Sequence, residues 1–173
     1  EKYLDEIILS VARSSSLKVK IAEKVSVLTK KEIQLNSPKN GADLLKLGSG
    51  VRVQKSQGGG GSPVIRGFEA NRVLLVVDGI RLNNAIFRSG HLQNAITIDP
   101  NYIERVEVIH GSSSVGYGSD ALGGVVHYFT KNPEINSNKK IKNSYSNYFS
   151  LANFSNLNNF SNQYSSKKWG LLT

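Results

Sequence analysis

A chain of 173 residues is long enough for one domain with its own core and too short for two comfortable ones. Its 39% hydrophobic and 20% charged residues lie in the range of folded proteins, which excludes disorder throughout. The absence of cysteine excludes disulfides and thiolate metal sites, and much of the +9 formal charge falls on Lys139, Lys140, Lys142, Lys167 and Lys168 in an acid-free tail, so no basic stripe within the body points to nucleic acid.

The chain starts without methionine and is expected to be a processed form or a fragment whose true start lies upstream. Residues 1–13 lack the order of regions of a signal peptide, and no run approaches the roughly 20 apolar residues of a spanning helix. Ile7-Ile8-Leu9-Ser10-Val11 is a short apolar β-former, and Ser14-Ser15-Ser16 reads as a linker behind it. The spacing predicts a strand from Val25 to Leu28, then a capping box from Thr29 to Glu32 that opens a helix. Ser37-Pro38 is expected to cap a second helix, with Leu44, Leu45 and Leu47 as its apolar face and Gly48 as its stop. Val51 and Val53 begin another strand, which Gly58-Gly59-Gly60-Gly61 with Ser62-Pro63 should break into an exposed loop.

Val73-Leu74-Leu75-Val76-Val77 is a continuous apolar run, as expected of a strand covered on both faces and placed at the sheet centre. Ile103 to His110 alternates, with Val106 and Val108 on a packed face and Arg105 and Glu107 on a polar one. Val125 to Phe129 makes the last strand of a small mixed body of about 115 residues, an α+β fold with short helices. From Ile135 onward asparagine and serine dominate. Weak alternation through 145–154 and 169–173 fits either asparagine-rich low complexity or membrane-barrel strands.

Catalytic signals are thin. Gly116-x-Gly118-x-x-Ala121 matches a dinucleotide pattern, but it is separated from the strand ending at His110, and Gly123-Gly124 interrupts before a helix could aim at a pyrophosphate. His91, His110 and His127 share no metal-ligating spacing, and no nucleophile elbow occurs. His110 and His127 read as structural. His91 lies in the polar segment 83–91, where it either meets a ligand or bonds its own loop.

Pro63-Val64-Ile65-Arg66-Gly67-Phe68, Val76-Val77-Asp78-Gly79-Ile80-Arg81-Leu82-Asn83-Asn84, Ile103-Glu104-Arg105-Val106-Glu107-Val108 and Tyr117-Gly118-Ser119-Asp120-Ala121-Leu122-Gly123-Gly124-Val125 form an ordered series. The series resembles the plug domain of TonB-dependent outer-membrane receptors. Leu4-Asp5-Glu6-Ile7-Ile8-Leu9-Ser10-Val11-Ala12 is similar to a TonB box, whose contacts with the energising protein TonB would be Asp5, Glu6, Ile7, Ile8, Leu9, Ser10 and Val11. The alternative is that it is merely the first strand of the domain.

The resemblance implies a plug inside a barrel of about 22 strands, more than this chain could supply. Residues 1–17 would be TonB box and linker, 18–134 the plug, and 135–173 the first strand or strands of the barrel. Arg66 and Arg105, with Glu107, would form the plug-to-barrel ion pairs. The apical loops would be 54–62, 69–71 and 83–91, with Gln57, Phe87, Arg88 and His91 as ligand contacts. An iron-bearing ligand, a ferric siderophore or haem taken from a haem protein, would be cargo rather than cofactor, and the stretch 83–92 looks most like haem-type receptors. Ser112 departs from the family, which usually has proline after the glycine. The alternatives from other classes are a soluble dinucleotide-binding enzyme using the Gly116 loop and a periplasmic binding module without a barrel.

Overall fold

The computed structural model describes residues 7–8, 16–17, 23–55, 61–69, 72–82, 93–111, 114–135, 140–152 and 154–173. In chain order the strands are β1 Ile7–Ile8, β2 Ser16–Leu17, β3 Lys24–Leu28, β4 Val51–Gln54, β5 Ser62–Ile65, β6 Val73–Val77, β7 Ile80–Arg81, β8 Ile103–His110, β9 Gly124–Thr130, β10 Lys140–Ser150, β11 Ser155–Ser165 and β12 Gly170–Leu172. The helices are α1 Lys30–Asn36, α2 Gly41–Leu45 and the single turn α3 Ser114–Tyr117, joined by 3-10 turns at Gln93–Thr97 and Pro100–Tyr102. The chain divides into two compact units, Glu1–Thr130 and Lys131–Thr173.

The first unit is a mixed sheet in the order β3-β8-β9-β6-β7, with β6 parallel to β9 and the other neighbours antiparallel. The central strand is therefore β9. The apolar run of β6, expected at the centre, lies beside it, because β7 adds only the short return of a hairpin. That hairpin turns on Asp78 and Gly79, whose φ values of 46° and 86° suit a type I′ turn, and the Asp78 carboxylate accepts the Thr130 N–H at 3.0 Å and its hydroxyl at 2.6 Å.

Both sheet faces are covered. On the first, Val73, Leu75, Val106, Val108, Val126 and Tyr128 pack against Ile33, Leu44, Leu45 and Ile65. On the second, Val25, Leu74, Val76, Ile109 and Val125 pack against Ile8, Tyr117 and Ala121. Each fully buried aliphatic side chain contributes about 1.5–3 kcal/mol, so the two clusters supply the main drive for folding.

Local chemistry explains the helices. Thr29 and Glu32 make both halves of the expected capping box, the Thr29 N–H donating to Glu32 Oε2 at 2.8 Å. That bond, with a second from the Thr29 hydroxyl, holds the Glu32 carboxyl below its ordinary value. Ser37 ends α1 instead of starting α2: it sits in the left-handed region at φ 42° and donates its N–H to the Ile33 carbonyl. Asn40 caps α2, accepting the Asp43 N–H at 2.9 Å. Asp43 in turn meets Lys46 and Lys55, each at 3.0 Å. Burial pushes its carboxyl up, but the two ammonium groups win and leave it lowered.

Three further expectations change. Ser62-Pro63 continues a strand rather than breaking one: among the described residues β5 pairs only with β4, so Pro63, opposite Val53, has an edge for its missing donor. Gly61 leads in because a Cβ there would lie 2.4 Å from that of Ala42, while Gly58, Gly59 and Gly60 lie outside the described residues. Ser16, expected in the linker, pairs with Ile8 across β1 and β2. The supposed polar face of β8 is also covered, since Glu107 is wholly buried beside Arg105, while His110, on the other face by alternation, is nearly buried as well.

The second unit is an antiparallel sheet in the order β10-β11-β12, with strands of 11 residues in β10 and β11. Both run longer than the alternation suggested. Asparagine and serine side chains pair across them: Asn147 Nδ2 donates to Asn156 and Asn158 Oδ1 at 2.7 and 2.6 Å, and the Ser144 and Ser161 hydroxyls lie 2.7 Å apart.

Gly41→Ala is expected to lower unfolding stability by about 1–3 kcal/mol in urea titration, since its Cβ would lie 2.2 Å from the Ala95 carbonyl oxygen. An unchanged midpoint would show that α2 can move off that turn freely.

Candidate functional site

Three groups of side chains on the first unit bear on function, and they occupy different parts of the sheet. The leading segment forms the first. β1 pairs antiparallel with β2 over Ile7↔Leu17 and Ile8↔Ser16, and Ile8 is fully buried with Val25, Ile109, Val125, Tyr117 and Ala121. The leading segment thus covers part of the sheet's second face. Asp5, Glu6, Leu9, Ser10 and Val11 lie outside the described residues.

The second group surrounds Arg66. Ile65 and Phe68 exchange backbone hydrogen bonds, each 2.9 Å, across a tight turn with φ 52° at Arg66 and 82° at Gly67, which presents the Arg66 side chain outward. Its guanidinium lies against Gly111, where an added Cβ would sit 3.1 Å from Nη1. His110 is adjacent, with Nε2 2.9 Å from the Ser26 hydroxyl. Burial, then the charges of Lys24 and Arg66, hold the His110 imidazole below its ordinary value and so neutral.

The third group sits toward the opposite end of β8, about 17 Å away at the usual rise of a strand. Arg105 Nη2 meets Glu107 Oε1 at 3.0 Å, and its guanidinium stands over the Phe129 ring at 4.8 Å from the centroid. Phe129 stacks on His127 at 4.1 Å between centroids. His127 Nε2 accepts the Gly79 N–H at 3.1 Å, which requires the neutral ring to carry its proton on Nδ1. Burial holds the His127 imidazole below its ordinary value, only partly offset by the charges of Glu107 and Asp78.

Arg66 and Arg105 are therefore not brought together, and Arg105 already has a carboxylate inside the chain. Glu107, named from the resemblance as a partner in ion pairs, is that carboxylate. Gln57, Phe87, Arg88 and His91, the expected ligand contacts, lie outside the described residues, as does Ser112. Among the described residues no three His, Asp or Glu side chains gather as metal ligands. The Gly116-Gly118-Ala121 stretch starts inside the four-residue α3 and runs on to β9 at Gly124, so among the described residues no helix follows it to aim an N-terminus at a phosphate.

Sequence reasoning missed the roles of Asp78 and Arg81. The Asp-Gly pair after an apolar run is a hairpin signal that could have found the first. Arg81 donates to the Tyr117 backbone carbonyl and lies 3.9 Å from the Asp120 carboxylate, a long-range contact that no local pattern marks.

The pH dependence follows from these environments. A histidine whose folded pKa is depressed binds fewer protons folded than unfolded, so stability falls as pH drops below the ordinary value of 6.5. Glu32 and Asp43, lowered instead, contribute stability present above the ordinary carboxylate values of 4.5 and 3.8 and lost as pH falls through their folded values. The urea midpoint is expected to decline between about pH 7 and 5, with a shallower decline in His110→Asn. A flat profile over that window would contradict it.

Comparison with known proteins agrees with this architecture. A family model described as the TonB-dependent receptor plug domain matches residues 18–125. The vitamin B12 transporter BtuB of Vibrio vulnificus strain CMCP6 is 37% identical over 132 residues, covering 75% of this chain and 21% of that protein. The same transporter from strain YJ016 is 35% identical, with 20% of its length covered, so the chain spans about a fifth of these relatives. Among solved structures, the pyoverdine outer membrane receptor FpvA from Pseudomonas aeruginosa PAO1 superposes with a TM-score of 0.68 at 18% identity, covering 91% of this chain and 22% of that one. The copper transporter OprC gives 0.71 at 23% identity, covering 86% and 22%. At such identities the structural likeness speaks for the fold, and these proteins are receptors and transporters rather than enzymes.

Proposed function

We propose, from the premise that this chain belongs to the TonB-dependent receptor plug domain family, that it gates an outer-membrane transporter that takes up an iron-bearing nutrient with energy from TonB. The chain is an outer-membrane protein, as the family is. Its mixed sheet would fill the lumen of its own barrel with the N-terminus in the periplasm. The second unit would open that barrel, since strands of 11 residues match the length that crosses a bilayer at a tilt.

The observation that carries this reading is the bedding of Ile8. Among the described residues, β1 pairs with β2 over Ile7–Ile8 and Ile8 is buried against the second sheet face. Such a pairing can be exchanged for one with another protein's sheet edge, which asks for main-chain hydrogen bonds and little sequence. Asp5 to Val11 would then be the segment that TonB takes. Arg66, exposed at its turn, and Arg105, beside Glu107, would face carboxylates of the barrel wall, where a guanidinium fork binds well.

The cargo would be a ferric siderophore or haem drawn from a haem protein, met by Gln57, Phe87, Arg88 and His91, with haem preferred from the segment 83–92. The 37% identity to a vitamin B12 transporter favours cobalamin as the second reading.

The test uses the full-length receptor in living cells. Ile8→Pro should leave surface binding of ligand intact and reduce uptake to that of cells lacking TonB, whereas retained uptake would sink the coupling role. With haemin, a ferric siderophore and cobalamin offered in turn, haemin should be the ligand transported. His91→Ala should weaken its binding about tenfold, roughly 1.4 kcal/mol. Uptake of cobalamin alone would replace the haem reading with the second one.

A further inference from the structure

The geometry points to Arg81 as the positioning residue that keeps the leading segment bedded, by clamping the turn that walls the Ile8 pocket. This inference rests on the reading of that segment as the handle.

Ile8 is buried in one cluster with the sheet residues Val25, Leu74, Ile109 and Val125 and with Tyr117 and Ala121. The stretch that carries Tyr117 and Ala121 has little structure of its own. α3 is one turn long, Gly118 follows in the left-handed region at φ 92°, and the Ala121 N–H closes a turn onto the Gly118 carbonyl at 3.1 Å. A single helical turn is unstable without outside support, so the position of the wall depends on what ties it down.

Arg81 is such a tie. It reaches from β7 at the sheet edge, donates Nη2 to the Tyr117 carbonyl, and carries the Asp120 carboxylate at 3.9 Å. Gly118 completes the fit: a Cβ there would lie 2.9 Å from Nη2, so the guanidinium lies flush on a backbone with no room for a side chain. The Arg81–Asp120 pair is half-exposed at long distance and adds little. The charged donor on the carbonyl is the stronger contact. Among the described residues β7 pairs only with β6 and over two residues, so it is the shortest strand of the sheet and sits at its edge. A shift of this edge would carry Arg81 away from Tyr117, loosen the wall and free Ile8, while the first sheet face stays packed.

The chain has no cysteine, so one introduced thiol reports its own exposure. Ile8→Cys in the full chain is treated with a maleimide, alone and combined with Arg81→Ala or with Gly118→Ala, which displaces the guanidinium but keeps it. Leu75→Cys, on the opposite sheet face, monitors general opening. Both second substitutions should speed modification of the thiol at position 8 about tenfold and leave the thiol at position 75 slow, as expected for loss of one charge-assisted hydrogen bond. Unchanged rates at position 8 in both variants would overturn the inference. A joint rise at positions 8 and 75 would overturn it too, because the pocket would then open only with the whole fold. The thiol rates test bedding within the chain and the uptake assay tests the handle, so the two fail separately.

Discussion

A sheet with apolar residues on both faces needs cover on both, and the rest of this structure follows from how that need is met. The first face is closed by α1 and α2, both with capped N-termini, and by the β4–β5 ribbon. The second is closed partly by residues that arrive from elsewhere, Ile8 from the leading segment and Tyr117 and Ala121 from a short turn. One face is thus covered by elements next to the sheet in sequence and the other partly by residues from farther away. The proposed gate, which would hold at rest and yield to a pull, would draw on that asymmetry.

The charged end of the second face obeys a different rule. Glu107 is wholly buried, and a carboxylate there is tolerable because the Arg105 guanidinium lies at 3.0 Å. Phe129 and His127 extend the cluster to the β6–β7 turn, where the Gly79 N–H fixes the imidazole. A carboxylate from a surrounding wall would join a pair that already exists, so the interaction with the wall would be tuned by Glu107 rather than made by a lone cation. Arg66, near the far end of β8 and packed on the Gly111 backbone, would offer the wall a different kind of contact.

What was legible in the sequence was local or repeated. The capping box at Thr29 and Glu32 is written in adjacent residues, the strands β6, β8 and β9 in runs of β-branched side chains, and the plug resemblance in four motifs kept in order. Pairings between distant segments left weaker marks. Alternation put Arg105 and Glu107 on one face correctly, but it carried no information about what covers that face. Ser37-Pro38 suits the start of a helix as well as the exit from one, and only the left-handed backbone at Ser37 decides between them. β10 and β11 replace hydrophobic alternation with asparagine and serine pairs that become visible once the strands are aligned.

The central claim is that one segment serves both as cover for the sheet and as handle for an energising partner. Methyl NMR of the chain titrated with the periplasmic domain of TonB addresses it most directly. The account predicts that Val25, Leu74 and Val125 signals shift as Ile8 is drawn off, while Val106, Val108 and Val126 on the other face stay in place. Binding of the partner with all six residues unmoved would contradict it.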